Sequence, residues 1–169
     1  RVRKGMGHDA ALQAWTSQSS APVAIWNDER PRSTWIEQLY LVERLAPEPA
    51  LVPTNIEDRA LMFGLSNELC GENGLGWSRR VMLLDATLTN PQSDDAARTL
   101  ASYMGGKYGH NQTAAEAAPT RIAQILRLLD ARLTQQQAAG RKFFVGDRLS
   151  ALDIYWSTFA VLIQPLPAD

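Results

Sequence analysis

Few side chains in this sequence have the type and spacing for covalent or metal chemistry. The single cysteine, Cys70, stands among apolar positions of an expected helix. A thiol there reads as inert packing, because a reactive cysteine needs an accessible, electropositive setting. His8 and His110 are far apart and lie in glycine-bearing stretches. With no His-x-x-x-His pair and one cysteine, no metal site is expected. Gly71-Glu72-Asn73-Gly74-Leu75-Gly76 is rich in glycine but has the wrong order for a dinucleotide fingerprint, and it follows a helix rather than a strand. It reads as a helix break that lets Trp77 and the Arg79-Arg80 pair approach a domain interface. Arg79 and Arg80 themselves read as surface charges or salt-bridge donors.

Charge is close to balanced, with 17 basic and 18 acidic side chains. That pattern gives no electrostatic reason to expect nucleic acid or an anionic membrane as partner. No apolar run reaches the length that spans a bilayer, and no signal-peptide pattern opens the chain. One cysteine excludes an intrachain disulfide framework, so a reducing, cytoplasmic location is expected. The first residue is Arg and the end, from Gln164 to Asp169, lacks a terminating pattern, so the sequence is expected to be part of a longer chain.

The elements that must position any site follow from local signals. Ala10 to Ser17 has helical spacing at Ala11, Leu12 and Trp15. Ala21-Pro22-Val23-Ala24-Ile25-Trp26 predicts a short strand opened by proline, and Asn27 to Pro31 predicts a turn with Glu29 inside it. Ser33 or Thr34 caps the next helix, and Thr34 with Glu37 forms a capping box. That helix carries Trp35, Ile36, Leu39, Tyr40, Val42 and Leu45 and should stop before Pro47. Residues 47–54 form a stiff, proline-rich linker between a first domain at 1–46 and a helical domain at 55–169. In the second domain one helix is expected from Ile56 to about Glu72, with Leu61, Met62, Leu65 and Leu69 on one face. Gly71, Gly74 and Gly76 interrupt it, and it resumes from Trp77 to Leu88. Ser93 caps a helix reaching Met104, and residues 105–119 read as loop. Pro119-Thr120 opens a long helix with Ile122, Ile125, Leu126, Leu129 and Leu133 inward, ending near Gly140. Phe143-Phe144-Val145 is a docking segment.

The most informative stretch is Gly146-Asp147-Arg148-Leu149-Ser150-Ala151-Leu152-Asp153. Ser150 and Asp153 have capping-box spacing, and Leu149 with Ile154 fits a hydrophobic staple. The helix beyond is apolar nearly all round, which predicts a buried central helix.

Phe144 to Asp153 resembles the buried N-capping motif of the helical domain of glutathione transferases. Ser20-Ala21-Pro22-Val23 resembles the third strand of that family's thioredoxin-like domain, and Leu51-Val52-Pro53 resembles the end of its linker. The matches run in the family's order over roughly residues 20–167. The resemblance implies a mainly α chain, with a partial thioredoxin-like α/β domain followed by an all-α helical bundle.

It also implies glutathione as co-substrate, with no metal, a small hydrophobic electrophile and a homodimer. Ala21 would pair its backbone with the cysteinyl part of glutathione, and Pro22, cis in the family, would hold that backbone open. Ser33 and its helix N-terminus would take the γ-glutamyl carboxylate. Arg32 stands where the family has an acidic or amide residue, and either adds a contact to a carboxylate or marks an altered site. Trp77 and Tyr103 are candidate walls of the electrophile pocket, although aromatics on helices are more often core. The implied reaction is thiolate attack on the electrophile, its activating residue expected in a missing N-terminal segment. Two other readings stay open: a non-catalytic docking module of the same architecture, and a glutathione-dependent reductase.

Overall fold

A computed structural model describes residues 9–18 and 21–164, so His8, Ser20 and the end after Gln164 lie outside the described residues. The chain divides into two compact units between Ala50 and Leu51, inside the proline-rich connection. The described residues are mainly helical, with seven helices and no strand.

The first unit holds α1 (Ala10–Thr16) and α2 (Trp35–Leu45). Asp9 caps α1 by accepting from the N–H groups of Ala11 and Leu12. Between the helices the expected strand is reduced to one antiparallel pair, Ala24 with Arg32. Each N–H donates to the other's carbonyl at 2.9 Å. The ladder stops there for a local reason. The next hydrogen-bonded pair would need an N–H at Pro22, and proline has none. A thioredoxin-like sheet is therefore not visible among the described residues. The helix cap is Thr34, not Ser33: the Thr34 hydroxyl accepts from the Glu37 N–H at 3.3 Å and donates to its carboxylate at 2.9 Å. Leu39 and Leu41 are the buried positions of α2, while Tyr40, Val42 and Leu45 are exposed.

The second unit contains α3 (Ile56–Cys70), α4 (Leu75–Thr89), α5 (Asp95–Lys107), α6 (Gln112–Ala138) and α7 (Ala151–Ala160). Helix α4 packs chiefly on α6 and α5, and α3 on α7. Met62, Leu65 and Leu69 of α3, Leu75, Val81 and Leu84 of α4 and Ile122, Ile125 and Leu129 of α6 are buried in the core. Asn55 caps α3 by accepting from the N–H groups of Glu57 and Asp58.

Four local expectations are corrected. Helix α4 begins at Leu75, so Gly76 lies inside it rather than interrupting it. A Cβ at Gly76 would fall 2.2 Å from the Phe159 ring, so the glycine is there to let α7 come close. Asp94, not Ser93, caps α5, and α5 runs through Gly105 and Gly106 to Lys107. Most of the expected loop at 105–119 is helix, because α6 starts at Gln112 under the Asn111 cap and Pro119 lies within it. A proline at that depth removes one helical hydrogen bond and costs about 3 kcal/mol. The alanine-rich first turns, with Ala115 and Ala118 buried, offset that cost through packing.

The fourth correction concerns α7. Its capping box forms as expected. One carboxylate oxygen of Asp153 accepts from the Ser150 N–H at 2.9 Å and from the Ser150 hydroxyl at 2.7 Å. The other accepts from the Phe144 N–H at 2.9 Å. Phe144, Val145 and Ser150 are buried. The Ala151 N–H donates to the Leu51 carbonyl, which fastens the start of the unit to the start of α7. Only Ala151 and Leu152 of α7 are buried, however, and the staple residues Leu149 and Ile154 are both exposed. The helix lies chiefly along α3 and reaches α4 through Phe159 at Gly76, which leaves part of a nearly all-apolar surface uncovered.

Candidate functional site

Two places bring together residues with chemical potential. The first lies in the first unit, where the turn from Asn27 to Glu29 returns the chain antiparallel to Ala24 and into α2. Asn27 takes a left-handed conformation, φ 50°, which asparagine tolerates better than most residues. The Ala21–Pro22 peptide is cis, and the N–H and C=O of Ala21 have no partner among the described residues.

Ser33 is half-buried one residue before the Thr34 cap, and its hydroxyl has no partner among the described residues. Pro22 and Arg32 are joined through a residue that sequence reasoning did not single out. The amide nitrogen of Gln38, one turn into α2, donates to the Pro22 carbonyl at 2.9 Å and to the Arg32 carbonyl at 3.2 Å. The two segments assigned to glutathione, Ala21-Pro22 and Arg32-Ser33, therefore meet at one donor.

The electrostatics of this corner are set by the turn. Arg32 donates to the Glu29 carboxylate at 2.5 Å and to the Arg30 carbonyl at 3.1 Å, and its side chain is only 16% exposed. Arg44, one helix face away, donates to both Glu29 oxygens at 2.6 Å. Glu29 thus does more than occupy a turn. Hydrogen bonds from Arg44 and then Arg32 hold its carboxyl below the usual carboxylate range. Glu37 is likewise held low, by Arg30 first and then by Thr34. Glu37 adds negative charge in the first turn of α2, and its pairing with Arg30 at 2.7 Å offsets that charge.

The second place is a cavity of about 320 Å³ between α4 and α6. Trp77, Ser78, Tyr108, Ala118, Arg121 and Glu72 are among its walls. Trp77 and Tyr108 meet edge to face at 4.8 Å, and the Arg80 guanidinium lies over the Tyr108 ring at 5.3 Å. Arg121 donates to the Asn73 carbonyl at 3.0 Å and pairs with Glu68, so its guanidinium is fixed as a wall. The cavity exists because α6 presents small residues there, Ala114, Ala117 and Ala118, opposite Ser78 of α4. Tyr103 takes no part: it is exposed on α5 and does not line the cavity. Tyr108 is the aromatic that faces Trp77. The stretch containing it reads as loop, and no periodicity marks it.

The remaining chemical groups have structural settings. Burial pushes the Cys70 thiol up to about 12, which makes it a poor nucleophile. Burial first, and then the charge of Cys70, raise Tyr155 to about 12. His110 pairs through Nε2 with Asp85 at 3.0 Å, joining the α5–α6 connection to α4. Arg79 donates to the Leu162 carbonyl at 3.2 Å. Among the described residues no three His, Cys, Asp or Glu side chains gather as a metal site, and no helix is long and apolar enough to cross a membrane.

Comparison with known proteins adds no relative: no family model, no curated protein and no solved structure matches this chain.

Proposed function

We propose that this chain belongs to a glutathione transferase-like protein that joins the thiolate of glutathione to a small hydrophobic electrophile. The observation that carries the reading is the meeting of Ala21-Pro22 and Arg32-Ser33 at the Gln38 amide. A tripeptide laid there would find the backbone N–H and C=O of Ala21 for its cysteinyl part. Its γ-glutamyl carboxylate would find the Ser33 hydroxyl and the positive end of α2. Arg32 is engaged with Glu29, so its contribution is to shape the turn rather than to offer a free guanidinium. Trp77, at the α4–α6 cavity, is the residue of the helical unit assigned to the electrophile. The Ser150–Asp153 network supports the same family reading in the second unit. The group that activates the thiol is not assigned to any residue of this chain. A homodimer and a cytoplasmic location belong to the same proposal.

A second reading is favoured by one observation. Arg32 replaces the acidic or amide residue of the family and is neutralised by Glu29. A turn built that way also suits a non-catalytic docking module with the same architecture. The reductase reading gains nothing from Cys70, whose thiol is held protonated.

Calorimetric titration with glutathione decides between the first two. We expect saturable binding in the micromolar to low-millimolar range. Ser33→Ala should weaken it roughly tenfold, since a hydrogen bond to a charged group is lost. Its unfolding midpoint should not move, because Thr34 is the cap. Absence of binding to the folded protein would overturn the transferase reading and favour docking.

A further inference from the structure

We propose that Gln38 is the positioning residue of the first unit, holding the Pro22 segment and the Arg32-Ser33 segment in register so that both face one ligand. The inference rests on the glutathione reading above and deepens it, giving a role to the side chain at which the two segments meet.

The need for such a residue follows from the backbone. A regular hairpin would continue from the Ala24–Arg32 pair to a pair between positions 22 and 34. Pro22 has no N–H to donate, and the chain enters α2 through its cap at Thr34. The Pro22 carbonyl is thus left without a ladder partner, and the Arg32 carbonyl takes the Ala24 N–H. One side chain on α2 supplies what the ladder lacks. The primary amide has two N–H bonds on one nitrogen, and here they reach two carbonyls from two different segments. A Ser hydroxyl is too short and a Glu carboxylate has no donor, so the amide type matters as well as the position. Pro22 directly follows Ala21, and Ser33 directly follows Arg32. A shift of either carbonyl moves a ligand-facing group by a similar amount.

The test uses Gln38→Met, which keeps length and bulk without a donor, and Gln38→Glu, which keeps shape and supplies only acceptors at neutral pH. Each is titrated with glutathione, and amide hydrogen exchange is read at Ala24 and Arg32. The expected result is a glutathione Kd raised roughly three- to tenfold in both variants, as for one or two lost hydrogen bonds. Exchange at Ala24 and Arg32 should quicken, while the unfolding of the second unit, which these bonds do not belong to, stays unchanged. A Kd equal to wild type in both variants overturns the positioning role. If folded wild-type protein binds no glutathione, the transferase reading fails separately. Exchange then still decides whether Gln38 holds the two segments, and unchanged exchange at both amides overturns that too.

Discussion

Replacing Asp153 with alanine removes one carboxylate and leaves three donors without their acceptor: the N–H groups of Phe144 and Ser150 and the Ser150 hydroxyl. A side-chain cap alone is worth about 0.5–2 kcal/mol. The structure argues for more, because Phe144 and Ser150 are each 2% exposed and water cannot easily replace the acceptor. An unsatisfied buried donor costs about 1–3 kcal/mol. Together these give an expected loss of about 3–4 kcal/mol, or a melting temperature lower by about 12–16 °C for a unit of this size. Urea unfolding followed by tryptophan fluorescence is the assay. Trp156, whose ring lies 6.2 Å from Phe144, sits in the affected helix and reports on it. Asp153→Asn keeps one acceptor oxygen and should fall between wild type and alanine. A loss under about 1 kcal/mol for Asp153→Ala would refute the reasoning, since it would mean that solvent replaces the carboxylate at no great cost.

Two further outcomes follow from the same kind of argument. Glu29 has a folded-state carboxyl held below its ordinary 4.5 by Arg44 and Arg32. The stability it contributes is therefore present above the ordinary value and is lost as pH falls through the lowered one. Thermal melts of wild type and Glu29→Gln below pH 4.5 should converge as pH decreases, and parallel curves would show that these ion pairs contribute nothing. Gly76→Ala brings a methyl group against the Phe159 ring and should cost about 1–3 kcal/mol, as overpacking does. Adding Phe159→Ala should recover part of that loss, and a fully additive double mutant would show that the two residues do not meet.

Much of the helical unit was legible without coordinates because its signals are short-range. The capping spacing of Ser150 and Asp153, the start of α3 at Ile56 and the inward rows of α3 and α6 are set by neighbours three and four residues away. The connection at 47–54 was marked by its prolines. Where a local rule was overridden, the cause was a partner distant in sequence. Gly76 reads as a break, yet it lies inside α4, where its missing Cβ leaves room for the Phe159 ring. Pro119 reads as a start, yet it is interior because the turns before it, with Ala115 and Ala118 buried, belong to the helix that packs on α4.

The candidate site divides in the same way. Ala21, Pro22, Arg32 and Ser33 were singled out from the sequence by resemblance, and Trp77 and Tyr103 as aromatics on helices. Only the tertiary structure paired Trp77 with Tyr108 and left Tyr103 outside. Only it showed Glu29 between two arginines and Gln38 between two carbonyls. The sequence by itself determined the mainly helical character, the capping box of α7 and the apolar rows of α3 and α6, because those are properties of residues a few positions apart. Tertiary structure decided which polar groups meet. A hydrogen bond depends on atoms within about 3 Å, and periodicity carries no record of which distant residue supplies the second atom.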